Sequence, residues 1–358
     1  MPIKHDVLLT PAPLATEVAA LALPGEDLLR LVWATATPTL EALHLGTVES
    51  GGRLREEDGW EGIQPRLGAM GSRLLLLFLS APDLRPTLVL DGGEPVHLSV
   101  SPGHQPCLAG SPDLAWAAWC AHDKQQGWVV RSGRIDLQGR FTEAAPLAGS
   151  GCGLCSAGDE ARLIWIHGDE VRCAQLGQDG PRGWELVARD PGAELPVLAA
   201  DEQGRWVAAW QGPCEHGVLR WPRLARLEGD GWRRLDPPLP REDQHLERHE
   251  AGGDQGWEVP ALLCHEGGTW LAGRSAQGFR AQRLQGEMWS ERLDLSMTGW
   301  SGRSRNLTLV TLAGEVSLLR GTPKGLAMAT LQAPSADEER VPAAPPAPAP
   351  APAETVPG

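Results

Sequence analysis

Hydrophobic and polar positions along the chain fall into short blocks, and the clearest set lies between Pro196 and Leu239. Pro196–Ala200 is short, small and apolar, and Asp201-Glu202-Gln203-Gly204 is a polar turn closed by glycine. Trp206-Val207-Ala208-Ala209-Trp210 is apolar at every position, which demands cover on both faces, as for a middle strand in a stack of sheets. Gly212-Pro213 breaks it. Residues 218–227 then alternate, with Leu219, Trp221, Ala225 and Leu227 on one face and Arg220 and Arg226 on the other. A second turn, Glu228-Gly229-Asp230-Gly231, leads to the short and more polar Trp232–Leu235, closed by Pro237-Pro238. The pattern predicts a four-stranded antiparallel meander.

The rest of the chain repeats this unit imperfectly. A first copy has Leu28–Trp33 as its apolar strand, Pro38–Val48 as the next, and Asp58-Gly59-Trp60 matching Asp230-Gly231-Trp232. Val7–Leu9 precedes it as a lone strand, and Ala15–Leu23 reads as one or two helical turns. A second copy begins at Pro65, with Leu74–Leu79 and Thr87–Leu90. A third begins near Pro106, with Trp116–Trp119, Trp128–Val130 and Arg134–Leu137. A fourth has Leu163–Ile166, Val171–Leu176 and Gly183-Trp184. After the reference unit, a sixth has Val259–Cys264, Thr269–Ala272, Gly278–Leu284 and Met288-Trp289. A seventh has Leu307–Leu312, Val316–Leu319 and Leu326–Leu331.

Trp184 and Trp232 are 48 residues apart and Trp165 and Trp210 are 45 apart; removing the insert Pro240–Trp257 restores a similar spacing between units five and six. Four strands per such period is the repeat of a β-propeller blade. The expected fold is therefore all-β: a single propeller of about seven four-stranded antiparallel blades over residues 1–333. Stacking blades around a ring covers both faces of every sheet, and closure hides the strand edges. Val7–Leu9 and Leu326–Leu331 compete for the strand that completes the last blade. From Pro334 the composition shifts to VPAAPPAPAPAPAETVPG, so residues 334–358 are expected to be a disordered, polyproline-like tail.

Composition sharpens this picture. With 15 Trp, 3 Phe and no Tyr among 358 residues, the indole is the main large packing unit. The 43 Gly and 31 Pro fit many turns. A net charge of −14 disfavours nucleic-acid backbone and anionic membrane as partners, and no apolar run is long enough to span a bilayer. The N-terminus lacks the shape of a secretory signal, and seven irregularly spaced Cys read as reduced thiols, so a cytoplasmic location is expected.

The repeat resembles the β-propeller superfamily over about residues 5–332. The subfamily signatures are missing: no Gly-His and Trp-Asp recur as in WD repeats, and Kelch repeats need a Tyr. One partial sialidase Asp-box, Leu263–Trp270, keeps Gly267, Thr269 and Trp270 but has Leu263 and His265 in place of its Ser and Asp. The Trp-rich, degenerate blades are similar to bacterial propellers encoded beside MoxR-type ATPases and von Willebrand A proteins.

Candidate chemistry is sparse. Trp33, Trp116, Trp165, Trp206 and Trp270 recur, which points to blade packing rather than ligand stacking. Trp60, Trp184 and Trp232 read likewise as repeat signatures. Cys152-Gly153-Leu154-Cys155 is a lone CxxC, with Cys173 the nearest further thiol, and a zinc site needs four ligands. It reads as small core residues of an inner strand. His245 and His249 are i and i+4, but Glu247 between them does not make HExxH. They are metal candidates only as a variant hypothesis, and no cofactor is expected. The charged insert around them, with Glu242, Asp243, His245, Glu247, Arg248 and His249, is the interaction-loop candidate, because binding concentrates where a scaffold's loops depart from the repeat. His122-Asp123 and Cys214-Glu215-His216 lie in turns predicted on one face of the ring, where a thiol–imidazole pair would need to meet across space. No carboxylate pair stands out as acid and base.

Without a catalytic motif, the expected function is a non-enzymatic protein-interaction scaffold with a protein partner, monomeric as a body, without membrane insertion or nucleic acid. The alternative is an enzyme or binding protein that uses the central channel for a carbohydrate or small polar ligand.

Overall fold

An apolar middle strand needs a neighbour on each face, and the seven sheets of this chain supply one another with that cover. The computed structural model describes residues 3–10, 15–22, 28–36, 41–49, 54–201, 203–213, 220–229, 231–238, 260–275, 278–290, 293–296, 307–322, 325–331 and 341–342. Among these residues every regular element is a strand, and the strands form seven antiparallel units built on four strands each; short extra strands join the outer side of blades three and six, and six of the units run outward in chain order. Blade four shows the plan: Ser150–Ala157, Glu160–His167, Glu170–Gly177 and Gly180–Arg189, all antiparallel. Blades one and two share the long strand Leu54–Met70. Its first half pairs with Glu41–Glu49 as the outer strand of blade one, and its second half pairs with Arg73–Ser80 as the inner strand of blade two.

The innermost strands touch in sequence around a closed circle, from Ala15–Ala22 round to Leu307–Leu312 and back. Closure is by the N-terminus. Ile3–Thr10 is the outermost strand of blade seven and pairs with Gly325–Leu331, placing Val7 opposite Met328. Val7–Leu9 and Leu326–Leu331 thus do not compete, since they are the fourth and third strands of one sheet.

Two local expectations are corrected. Ala15–Ala22 is the inner strand of blade one, not a helix. Its Ala- and Leu-rich composition favours a helix in isolation, but seven inner strands converging on an axis select small side chains at those positions. The crowding is severe enough that a Cβ on Gly110 would run into the carbonyl of Ala69 on the neighbouring blade. In blade three, Arg134 and Ile135 end the third strand, Gly127–Ile135, and the outer strand is Phe141–Glu143. Asp136 closes the turn between them by accepting the backbone N–H groups of Gln138 (3.0 Å) and Arg140 (2.9 Å). Val341–Pro342, within the stretch expected to be a tail, pairs antiparallel with Met288–Trp289 of blade six.

The core consists of seven apolar clusters, one in each gap between neighbouring blades. Six gaps hold a fully or nearly fully buried indole: Trp33, Trp119, Trp165, Trp210, Trp270 and Trp289 serve one each. The seventh, between blades one and two, uses Phe78 with half-buried Trp60. The recurring tryptophans are packing residues, but they do not share one register. Trp33 and Trp165 lie toward the end of the second strand where the inner strand begins, and Trp116, Trp206 and Trp270 lie toward the other end.

Indole N–H groups are treated unequally. Trp210 Nε1 donates to the buried Asp190 carboxylate at 2.7 Å, and Arg223 lies 3.7 Å from the same oxygen. Trp165 Nε1, equally buried, has no partner among the described residues. Replacing either ring by Phe removes similar volume, but only Trp210→Phe removes a charge-assisted bond. Trp210→Phe is therefore expected to cost about 1.5–3 kcal/mol more than Trp165→Phe. Urea midpoints at unchanged slope measure the difference, and equal losses for the two variants would refute it.

Candidate functional site at the channel mouth

The inner strands begin with a repeated irregularity. In blades two, three, four and five, two residues of the inner strand lie opposite a single residue of the second strand. The bulge pairs are Gln64-Pro65, Gln105-Pro106, Gly151-Cys152 and Leu195-Pro196, and the opposing residues are Phe78, Trp119, Trp165 and Trp210. The first residue of each pair is left-handed: Gln64 at φ 54°, Gln105 at 50°, Gly151 at 62° and Leu195 at 51°. For residues with a Cβ this costs about 1–2 kcal/mol each. A bulge of this kind re-aims the chain at the rim of a closed sheet. In blade one the register shift falls between Ala15 and Glu17, so Glu17 occupies the position that proline fills in blades two, three and five.

The bulges of blades one to five border a central channel of about 320 Å³, lined by residues from all seven inner strands. Most of the lining is aliphatic side chain, proline or glycine. Its polar side chains are Arg66, Gln105 and Thr308, with the thiols of Cys107 and Cys152. The polar groups gather on blades one to four. Gln64 N–H donates to the buried Glu17 carboxylate (2.5 Å), and Gln105 N–H donates to the Gln64 side-chain oxygen (3.0 Å). Cys152 and Cys120 donate to the Gln105 backbone and side-chain oxygens at 3.4 and 3.8 Å. Arg66 donates to the Pro65 carbonyl at 2.8 Å, and on the other side Thr308 donates to the Val18 carbonyl at 2.7 Å. One bulge is thus tied to the next by hydrogen bonds rather than by apolar packing alone.

The CxxC pair is split by strand geometry. Residues three apart in a strand face opposite ways, so Cys152 faces blade three and Cys155 packs in the gap with blade five. Cys152 Sγ lies 3.4 Å from Cys107 Sγ and 3.8 Å from Cys120 Sγ. Hydrogen bonding to those two thiols and burial push the Cys152 thiol well up. Burial likewise pushes Cys155 and Cys173 up to about 12 and Cys264 up to about 11. Among the described residues no three His, Cys, Asp or Glu side chains are arranged to hold a metal.

His122 and Asp123 separate in role. Asp123 accepts the backbone N–H groups of Gln125 (2.8 Å) and Gln126 (3.0 Å), which hold its carboxyl below the usual range and close the turn. His122 is exposed and meets Trp128 edge-on at 5.6 Å, as does His104. Cys214, Glu215 and His216, and the insert residues Glu242, Asp243, His245, Glu247, Arg248 and His249, lie outside the described residues. Glu17, Gln64, Arg66 and Gln105 were not among the sequence candidates. The signal that could have found Gln64, Arg66 and Gln105 is the proline that opens units two and three, since the residues beside it sit on the rim; Glu17 has no such signal.

No protein-family model and no curated protein sequence matches the chain. Solved structures do. A hydrazine synthase of Kuenenia stuttgartiensis matches over 90% of this chain and 97% of its own at 10% identity, with a TM-score of 0.59. An α-L-arabinofuranosidase of Fusarium graminearum, solved with an iminosugar inhibitor, matches over 92% and 98% at 10% identity, with a TM-score of 0.57. The polysaccharide lyase Uly1 matches over 92% and 99% at 9% identity, with a TM-score of 0.55. At such identities the likeness establishes the fold, a β-propeller. The expectation of a non-enzymatic interaction scaffold is corrected here: carbohydrate-active enzymes recur among the neighbours, which weighs against it and favours the alternative.

The thiolate is the reactive form of cysteine, and these thiols remain protonated far above the ordinary value of 9.0. Iodoacetamide at pH 8 is expected to label Cys152, Cys155, Cys173 and Cys264 at least tenfold more slowly in the native protein than in urea. Because the unfolded thiols ionise first, their contribution to stability is intact below about pH 9 and falls as pH rises toward 11–12. Peptide mass mapping after timed alkylation reads the rates, and native labelling as fast as unfolded labelling would refute the burial.

Proposed function

We propose that this chain binds a carbohydrate, or a polyhydroxylated molecule of similar size, at the mouth of its central channel. The observation that carries the reading is the one-sided polar sector in an otherwise aliphatic channel: Arg66 and Gln105 in the lining, backed by Gln64 and Glu17. The volume, about 320 Å³, is at the lower end of the range for small-molecule sites, and such sites combine apolar walls with a few placed polar groups. A guanidinium and an amide suit a sugar's hydroxyl oxygens, while aliphatic walls suit its C–H surfaces. The saccharide-directed neighbours support the same class.

Glycoside hydrolysis ordinarily uses two carboxyl groups across the scissile bond. Among the described lining residues there is no carboxylate, and Glu17 lies behind Gln64. The described geometry therefore supports recognition, and binding is the activity proposed.

Calorimetric titration with a panel of neutral and uronic-acid-containing mono- and oligosaccharides tests this. Saturable binding to at least one class is expected, with Arg66→Ala and Gln105→Ala each weakening it about tenfold, the scale of one hydrogen bond to a charged or well-placed group. Absence of saturable binding across the panel, or unaltered affinity in both variants, would overturn the reading.

A further inference from the structure

Trp is the main packing unit of this chain, and burying an indole is strongly favourable. Against that background an exposed Trp needs a reason. Among the described residues Trp184 and Trp128 are the exposed indoles. One face of Trp184 is taken by the Arg172 guanidinium, 4.0 Å from its ring centre, in a cation–π contact. Trp128 is 46% exposed and meets two imidazoles, His104 and His122, each with its ring centre 5.6 Å away and tilted 67° and 88° to the indole.

Neither imidazole stacks flat on the indole. Both are exposed, and among the described residues neither imidazole makes a side-chain hydrogen bond. The three side chains are fixed by the sheet. His122 is the cross-strand partner of Trp128, and His104 is the partner of Cys120, two residues back on the same face. The Trp128 carbonyl accepts the backbone N–H of Gly149, the residue that links blade three to blade four, and Cys120 and Val130, on the same face of these strands, pack in the gap between those two blades. The group therefore sits at the solvent end of the gap between blades three and four. His104 immediately precedes Gln105, a channel-lining residue.

We infer that Trp128, His104 and His122 form an outer saccharide subsite, continuous with the channel mouth, that takes a second sugar ring of an oligosaccharide. The inference rests on the channel reading and adds to it a direction, outward over blade three, and a preference for chains over single sugars. The indole supplies a flat apolar surface for the C–H face of a pyranose. The two imidazoles beside it supply nitrogens that donate to or accept from its hydroxyls. A surface built for protein contact would instead need a larger apolar patch than one indole.

The test compares a monosaccharide with the tetrasaccharide of the best-binding series, by calorimetry, on the full chain. The native protein is expected to bind the tetrasaccharide at least tenfold more tightly. Trp128→Ala should remove that advantage and leave monosaccharide affinity unchanged, Trp128→Phe should restore part of it, and His104→Ala with His122→Ala should reduce it severalfold. Gln105→Ala should weaken both ligands. Full tetrasaccharide preference in Trp128→Ala overturns the subsite while leaving the channel reading intact. Loss in Trp128→Ala with no change in Gln105→Ala leaves the subsite and removes the channel. No binding of either sugar to native protein removes both. Because Trp128 is exposed, an unchanged urea midpoint is expected for its variants, and Trp128→Phe keeps the comparison usable should Trp128→Ala unfold.

Discussion

The rest of the structure depends on how seven inner strands meet around an axis. Each must turn inward at its start, and in blades two to five it does so through a bulge facing a large aromatic ring. The left-handed residue at the bulge costs about 1–2 kcal/mol when it carries a Cβ. The ring opposite is nearly fully buried in the gap between blades, and burying an indole contributes about 4–6 kcal/mol. The packing term is the larger, so the strained backbone persists. The area figure is an upper bound, because an unfolded chain already buries part of its surface, but halving it leaves the sign unchanged. Chain closure follows from the same arithmetic: the last gap, filled by Trp33 with Leu319 and Met328, is sealed only if blade seven is complete, and Ile3–Thr10 completes it.

The bulges also decide where chemistry can occur. Backbone groups at a bulge leave the ladder, and here they are taken up by neighbouring blades: Gln64 N–H by Glu17, Gln105 N–H by the Gln64 side chain, the Gln105 carbonyl by Cys152. A polar rim on blades one to four is thus a by-product of satisfying buried backbone groups, which are costly to leave unpaired. On the side of blades five and six the lining is Leu195, Pro196, Val197 and Pro260 with their aliphatic neighbours, so the channel is chemically one-sided although its backbone repeats.

The blades were legible because two-sided apolar strands, such as Trp206–Trp210, and turn signals, such as Asp201–Gly204, recur at a nearly constant spacing. Pro65, Pro106 and Pro196 marked the inner-strand starts for a physical reason: the second bulge residue makes no regular ladder bond and tolerates a missing N–H. Ala15–Ala22 was illegible because local propensity favours a helix and only convergence at the axis overrules it. The split of Cys152 from Cys155 followed from strand period, but the meeting of Cys152 with Cys107 and Cys120 did not. Those partners are 45 and 32 residues away and meet only through blade stacking. Glu17 was missed for the opposite reason, since one carboxylate in an Ala-rich stretch carries no pattern.

A ring built from near-copies gives each position seven versions of one environment, and a departure from the consensus is informative only where the environment would have accepted the consensus residue. The second bulge position illustrates this. Proline suits it in blades two, three and five, so Cys152 and Glu17 are substitutions at a site that does not require them for folding. Cys152 is neutral, and its thiol is accounted for by its thiol and carbonyl neighbours. Glu17 is a buried carboxylate, which costs several kcal/mol unless it is hydrogen-bonded, placed where an uncharged proline would serve. Its bond to Gln64 N–H offsets part of that cost and orders the residue whose side chain, in turn, holds Gln105 at the channel wall. The polar sector is therefore a coupled unit, in which a carboxyl group on blade one positions a channel-lining amide two blades away.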